Sequence, residues 1–187
     1  GKIGESWEIT CHDNGMGIIQ NGSMKGLSLQ EAIEKYGEEL LGSAVYNDRY
    51  RKFPLLIKIL DASDVLSVQV HPGDEYANAY ENGELGKTEM WYIIDAKPGS
   101  KLVYGINKGV SREDFKRSLE QGQLEECLRE LEVKAGDVLY IPAGLVHAIG
   151  AGILICEIQQ NSDTTYRVYD WNRVDAKGNT RELHVEK

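Results

Sequence analysis

Four side chains spread along the sequence could share one divalent cation: Gln69, His71, Glu89 and His147. Two imidazoles, one carboxylate and one amide oxygen are donors that zinc and its first-row neighbours accept, with room left for a water or a substrate oxygen. With one anionic donor the dication keeps a net positive charge, which makes it a Lewis acid toward a carbonyl or hydroxyl. Two unrelated histidines and a surface glutamate are also compatible with these residues, because the donors lie far apart in sequence.

A second set is basic: Lys58, Lys87, Arg167 and Arg173. Lys87 stands two residues before Glu89 and shares its face if the strand already extends there. Lysines and arginines turned inward beside a metal suit a phosphorylated anion, arginine as a bidentate fork and lysine as a point charge. Solvated charge at strand edges is the competing reading, since these side chains are mostly exposed. Glu157, Lys87 and Asp163 are titratable candidates for general acid–base work. Single carboxylates in strands also occur simply as salt-bridged or exposed groups.

The elements that must carry these residues are mostly strands. Ser67, Gln69 and His71 alternate with Leu66, Val68 and Val70, which predicts a strand with one polar face. Such a face commonly meets water; a site built inside a sheet is the alternative. Residues 89–94 read as the next strand, with Glu89, Trp91 and Ile93 on one face. A strand and turn over residues 136–144 would deliver His147 at a sheet edge. Residues 53–60 form an apolar run broken only by Pro54 and Lys58, a buried strand. Further strands are expected over 4–10, 18–19, 101–104, 138–141, 153–159 and 166–169, and a short helical turn over 74–81. Ser28 and Glu31 have capping-box spacing and open a helical segment near 28–41. A second helical segment spans 111–131, divided by Gly122. The pattern predicts a mostly β chain, a barrel or sandwich with helices attached at one side.

Composition narrows the function classes. The 187 residues are 41% hydrophobic and 27% charged, an ordinary globular balance. A formal charge of −9 argues against a general nucleic-acid surface but not against a small basic pocket. No run is long and apolar enough to span a membrane, and no signal peptide is read. Cys11, Cys127 and Cys156 are widely spaced without a CxxC, as in a reduced, cytoplasmic protein. The first residue is Gly1, which reads as a trimmed chain.

Gly136-x5-Pro142-x-Gly144-x2-His147 resembles the second motif of the cupin superfamily up to its histidine, with Ala151 where an asparagine is usual. In the first motif Gln69-x-His71 stands where His-x-His is common, and the glutamate follows 18 residues after His71. Those departures, with Ser67-Val68-Gln69-Val70-His71-Pro72, Gly86-Lys87-Thr88-Glu89-Met90-Trp91 and Tyr140-Ile141-Pro142-Ala143-Gly144, resemble type I mannose-6-phosphate isomerase. Gly4-Glu5-Ser6-Trp7-Glu8 and Arg181-Glu182-Leu183-His184 resemble its short bacterial members.

The resemblance implies a cupin, jelly-roll-like β-barrel with a helical insertion, spanning 1–187 as a single catalytic domain. It implies one Zn2+ on Gln69, His71, Glu89 and His147, although other divalent metals suit the same donors. It places Ser67, Lys87, Arg167 and Arg173 around a sugar phosphate, some members having lysine at the last position. Arg167, Lys87, Glu157 and Asp163 fall at catalytic positions. The implied reaction interconverts mannose 6-phosphate and fructose 6-phosphate through a cis-enediol, with Glu157 the first choice of base. The family's N-terminal Trp-Gly-Gly stretch and its second, small β domain are expected to be absent. A non-catalytic sugar-phosphate sensor on a cupin frame is a second expectation. A metal-dependent oxygenase is a third, disfavoured by the glutamine and the phosphate-type basic residues.

Overall fold

The computed structural model describes residues 3–46 and 52–187. Two five-stranded antiparallel sheets face each other. Labels follow chain order. The first sheet runs β1 (Ile3–Ile9), β4 (Leu55–Ala62), β11 (Ile153–Gln160), β6 (Glu89–Ala96), β9 (Val138–Ile141). The second runs β12 (Tyr166–Tyr169), β5 (Val68–Val70), β10 (His147–Ala148), β7 (Lys101–Ile106), β8 (Leu128–Glu132). A hairpin of β2 (Cys11–His12) and β3 (Gly15–Met16) lies outside both sheets. This is the mostly β architecture the alternation predicts, in the jelly-roll-like form the resemblance implies.

Register turns the alternation into layers. On the inner face of the first sheet, Ile155 lies beside Leu60 and Ile93, and one step along the strands Glu157 lies beside Lys58 and Trp91. Leu60, Ile93, Ile155 and Ile153 pack with Leu102 and Ile149 from the opposite side into the main core. The barrel is therefore apolar at one end and polar at the other, because β4 and β11 change from aliphatic to charged inward residues at the level of Lys58 and Glu157, and β6 does so one step further on, at Glu89.

A second apolar cluster covers the outside of the second sheet. Val68, Val103, Ala148 and Val168 pack under Leu124, Cys127 and Leu128. The apolar face of β5 thus meets protein rather than water, and its polar face is left to point into the barrel. The expected strand 66–71 is hydrogen-bonded as a strand over Val68–Val70.

The helical expectations hold in part. The Ser28/Glu31 capping box opens α1 (Leu29–Tyr36). Gly37, at φ 49°, breaks the expected single helix, and α2 (Glu38–Leu41) follows it. The predicted turn over 74–81 is α3 (Asp74–Tyr80). Ser111 and Asp114 cap α4 (Arg112–Glu120). Beyond Gly122 the second expected helix is corrected: residues Leu124–Cys127 form one 3-10 turn, and 128–132 are strand β8. Leu128 and Leu131 have helical spacing, but they pair in register with Ile106 and Leu102 of β7, and that non-local pairing outweighs local pattern. Residues 18–19 likewise make only an isolated bridge, Ile18 to Ser28.

Gly150, just after β10, lets two backbones meet: a Cβ built there would stand 1.7 Å from the carbonyl oxygen of Lys101. Gly150→Ala is expected to destabilise the fold by about 3 kcal/mol, as backbone overpacking does. Thermal unfolding should then fall by roughly 6–12 °C for a chain of this size.

Candidate active site

The polar end of the barrel holds a cavity of about 400 Å³. The two sheets supply facing rows. Arg167, Gln69 and His147 are register neighbours across β12, β5 and β10. Opposite them lie Lys58, Glu157 and Trp91, with Glu89 beside Gln159. Ser67 and His71 flank β5 on the same face as Gln69. Lys87 is brought alongside by its backbone N–H, which donates to the carbonyl of Pro72 at 3.0 Å.

His71, Glu89 and His147 form a buried donor cluster, with one ligand atom of each lying within 4.8 Å of the others. His71 Nε2 is 3.2 Å from Glu89 Oε1, and His147 Nε2 is 3.9 Å from Glu89 Oε2. The Lys87 ammonium sits 3.1 Å from Glu89 Oε1 and 3.3 Å from His71 Nε2. The donors thus already converge on a positive charge.

Protonation states match a cation site. Burial first, and then the charge of Lys87, holds His71 down to about 4, so its imidazole is neutral at pH 7. Burial likewise lowers His147. The Nδ1–H of neutral His147 donates to the Leu145 carbonyl at 2.9 Å, which leaves the Nε2 lone pair facing Glu89. Burial alone would raise Glu89, but Lys87 and His71 more than reverse it, and its carboxyl lies well below the usual range. Two neutral imidazoles and a fixed carboxylate fit a divalent metal ion. Gln69, opposite His147 in register, is half-buried at the cavity wall, its amide N–H donating to Ser67 Oγ at 3.2 Å. That leaves the amide oxygen available as a fourth donor.

Glu157 is buried in the same cavity. Burial, then the charge of Glu89, pushes it up to about 7, against the pull of Lys58. Lys58 Nζ lies 3.1 Å from Glu157 Oε1, an ion pair without hydrogen-bond directionality, and 3.6 Å from Glu5 Oε1. Arg167 lines the cavity, its Nε–H donating to Ser67 Oγ at 3.4 Å and its Nη1–H to the Glu182 carbonyl at 2.9 Å. Asp163 lies exposed at the rim, accepting from Asn14 Nδ2 at 2.6 Å. Arg173 is not among the cavity-lining residues; its guanidinium turns to Asp170 and the Val65 carbonyl. Arg181, Glu5 and Thr165 line the cavity without having been singled out as site residues. For Arg181 and Glu5 the available signal was their place in the Arg181-Glu182-Leu183-His184 and Gly4-Glu5-Ser6-Trp7-Glu8 motifs; Thr165 carried none.

Residues 2–93 match the family described as phosphomannose isomerase type I, catalytic domain. The mannose-6-phosphate isomerase ManA of Bacillus subtilis is 53% identical over 100% of this chain and 57% of its own length. Along its whole length the chain is similar to type I phosphomannose isomerases. The mannose-6-phosphate isomerase of Streptococcus mutans is 48% identical over 98% of the chain and 56% of its own. The crystal structure of the Bacillus subtilis mannose 6-phosphate isomerase superposes with a TM-score of 0.87 at 44% identity, over 98% of this chain and 56% of that one. A mannose 6-phosphate isomerase crystallised with zinc and yttrium shares the fold, with a TM-score of 0.65 at 19% identity over 88% of this chain and 61% of that one. The chain therefore spans a little over half the length of these family members. Among the described residues, no helix is long and apolar enough to cross a membrane.

Proposed function

We propose that this chain is the catalytic part of a metal-dependent aldose–ketose isomerase that interconverts mannose 6-phosphate and fructose 6-phosphate. One observation carries the reading: Glu157, a buried carboxyl poised near neutrality, shares a cavity with a His–Glu–His donor cluster and a guanidinium. A base that must take a proton and give it back works best with a pKa near the working pH.

His71, Glu89 and His147, with the amide oxygen of Gln69, would hold the cation, and two nitrogens with two oxygens suit zinc. When bound there, the ion would supply Lewis acidity toward the substrate's carbonyl and hydroxyl oxygens. Arg167, with Ser67 beside it, binds the phosphate and so fixes the reacting end of the sugar. Glu157 takes the proton from C2 of the aldose, a proton moves from O2 to O1, and Glu157 returns its proton to C1. The ammonium of Lys87 stabilises the negative charge that develops on oxygen along this path. Lys58 keeps Glu157 from rising further, so a useful fraction is ionised at pH 7. Asp163, at the rim, orients the sugar rather than moving its proton. The unpaired cysteines are in keeping with a reducing cytoplasm.

A coupled assay for fructose 6-phosphate, run on metal-loaded protein with mannose 6-phosphate, tests the reading. Turnover is expected. Tight binding of mannose 6-phosphate with no product would instead make the chain a sugar-phosphate sensor.

A further inference from the structure

We propose that Arg181, and not Arg173, is the second guanidinium that binds the substrate phosphate, beside Arg167. The proposal rests on the sugar-phosphate reading above and changes which residues carry it. The two arginines compete for one role, and their hydrogen bonds separate them. Arg173 spends all three nitrogens on protein: Nε on the Asp170 carbonyl at 3.2 Å, Nη1 on the Val65 carbonyl at 2.6 Å, and Nη2 on the Asp170 carboxylate. It ties residues 170–173 to the segment before β5 and does not line the cavity.

Arg181 lines the cavity and is held by one edge only. Its Nε–H donates to Asp170 Oδ2 at 2.7 Å and its Nη2–H to Asp170 Oδ1. Its Nη1 has no hydrogen-bond acceptor among the described residues, so that edge of the guanidinium is available to a ligand. Arg167 is left in a similar state. Its Nε and Nη1 are engaged with Ser67 and Glu182, and its Nη2 has no acceptor among the described residues. The backbone of Arg167 is pinned as well: its N–H donates to His184 Nδ1 at 3.0 Å, and the N–H of His184 returns to its carbonyl at 2.8 Å. The Arg181–His184 stretch is thus a strap that is pinned to Arg167 of β12 and presents Arg181.

Charge points the same way. Asp170 is a buried carboxylate shared by Arg173 and Arg181. Arg167, Arg173 and Arg181 surround Asp170, and the Glu182 carboxylate also acts on Arg167, so the cluster behind the cavity mouth keeps one net positive charge in a chain whose formal charge is −9. A phosphate monoester carries about two negative charges near pH 7 and three terminal oxygens. It can meet free edges from two guanidiniums, which a carboxylate ligand would only half satisfy. The bond to Asp170 sets the orientation of Arg181 before a ligand arrives, which limits the ordering cost of binding.

Inorganic phosphate is the probe. Its affinity is measured by calorimetry and by competitive inhibition for wild type, Arg181→Gln and Arg181→Lys, with melting temperatures alongside. Arg181→Gln is expected to weaken phosphate binding about tenfold or more and to raise KM for mannose 6-phosphate by a similar factor, with kcat within about threefold. Arg181→Lys keeps a charge beside Asp170 but has no fork, and is expected to lose at least about threefold. Should Arg181→Gln fail to fold, Arg181→Lys decides the matter. Unchanged phosphate affinity in a folded variant overturns the proposal. Isomerase turnover together with Arg181-independent phosphate binding leaves the reaction standing and removes this site. Arg181-dependent phosphate binding in a wild type that does not isomerise does the reverse.

Discussion

Glu89→Gln is expected to empty the metal site and, with it, to abolish measurable isomerisation. Glu89 is the only anionic donor in the cluster, and its two oxygens face both imidazoles. Loss of an outer-shell partner typically costs about 10- to 100-fold in metal affinity, so loss of the anionic ligand itself should cost at least about 100-fold. The variant keeps the shape of the side chain, and its amide oxygen can still accept from Trp91 Nε1, which in the wild type donates to Glu89 at 2.8 Å. Metal content per chain after dialysis, read by elemental analysis, separates ligand loss from unfolding. A folded Glu89→Gln protein that still carries one divalent ion per chain would remove Glu89 from the ligand set.

The same substitution removes a charge that Lys87 needs. Lys87 is buried, 3.1 Å from Glu89, and breaking a buried pair from one side typically costs about 3–5 kcal/mol. The pH dependence has a definite sign. The folded carboxyl of Glu89 lies below its ordinary value, so its stabilising contribution is present above about 4.5 and is lost as pH falls through the depressed folded value. The gap in melting temperature between wild type and Glu89→Gln should therefore be wide near neutrality and narrow in acid.

Much of this site was legible because period-two alternation decides which residues share a face. Ser67, Gln69 and His71 are grouped by alternation alone, as are Glu89, Trp91 and Ile93. Whether the polar face met water or a cavity was not legible locally. It depends on Leu124 and Leu128 packing over Val68 from more than fifty residues away. For the same reason residues 128–132 looked helical: their leucine spacing suits a helix, and only the partner strand β7 selects the extended form. The arginines show a further limit of local pattern. Arg173 and Arg181 both sit in turn-rich sequence. Arg173 is withdrawn from the cavity by the carbonyl of Val65, a contact across 108 positions that no spacing rule anticipates. Lys58 looked like an interruption in an apolar run until register set it beside Glu157.

That pairing makes Glu157 the most sensitive position for the chemistry itself. Glu157→Gln is expected to lower kcat by about 10²–10⁴, the range for loss of a general base, while leaving metal content and fold intact. In the wild type, kcat/KM should rise through about pH 7 as Glu157 ionises and level off above it. Stability should move the other way. Its folded pKa is raised, so the folded chain holds this proton more tightly than the unfolded chain does. The wild type therefore gains stability as pH falls from about 7 toward 4.5, and Glu157→Gln lacks that component. Lys58→Met isolates the cause. Burial and Glu89 raise the carboxyl and Lys58 opposes them, so removing the ammonium should shift the rate limb to higher pH without abolishing turnover at the plateau. Wild-type turnover in Glu157→Gln would exclude it as the base. A rate limb unmoved in Lys58→Met would mean that the titration near 7 belongs to another group.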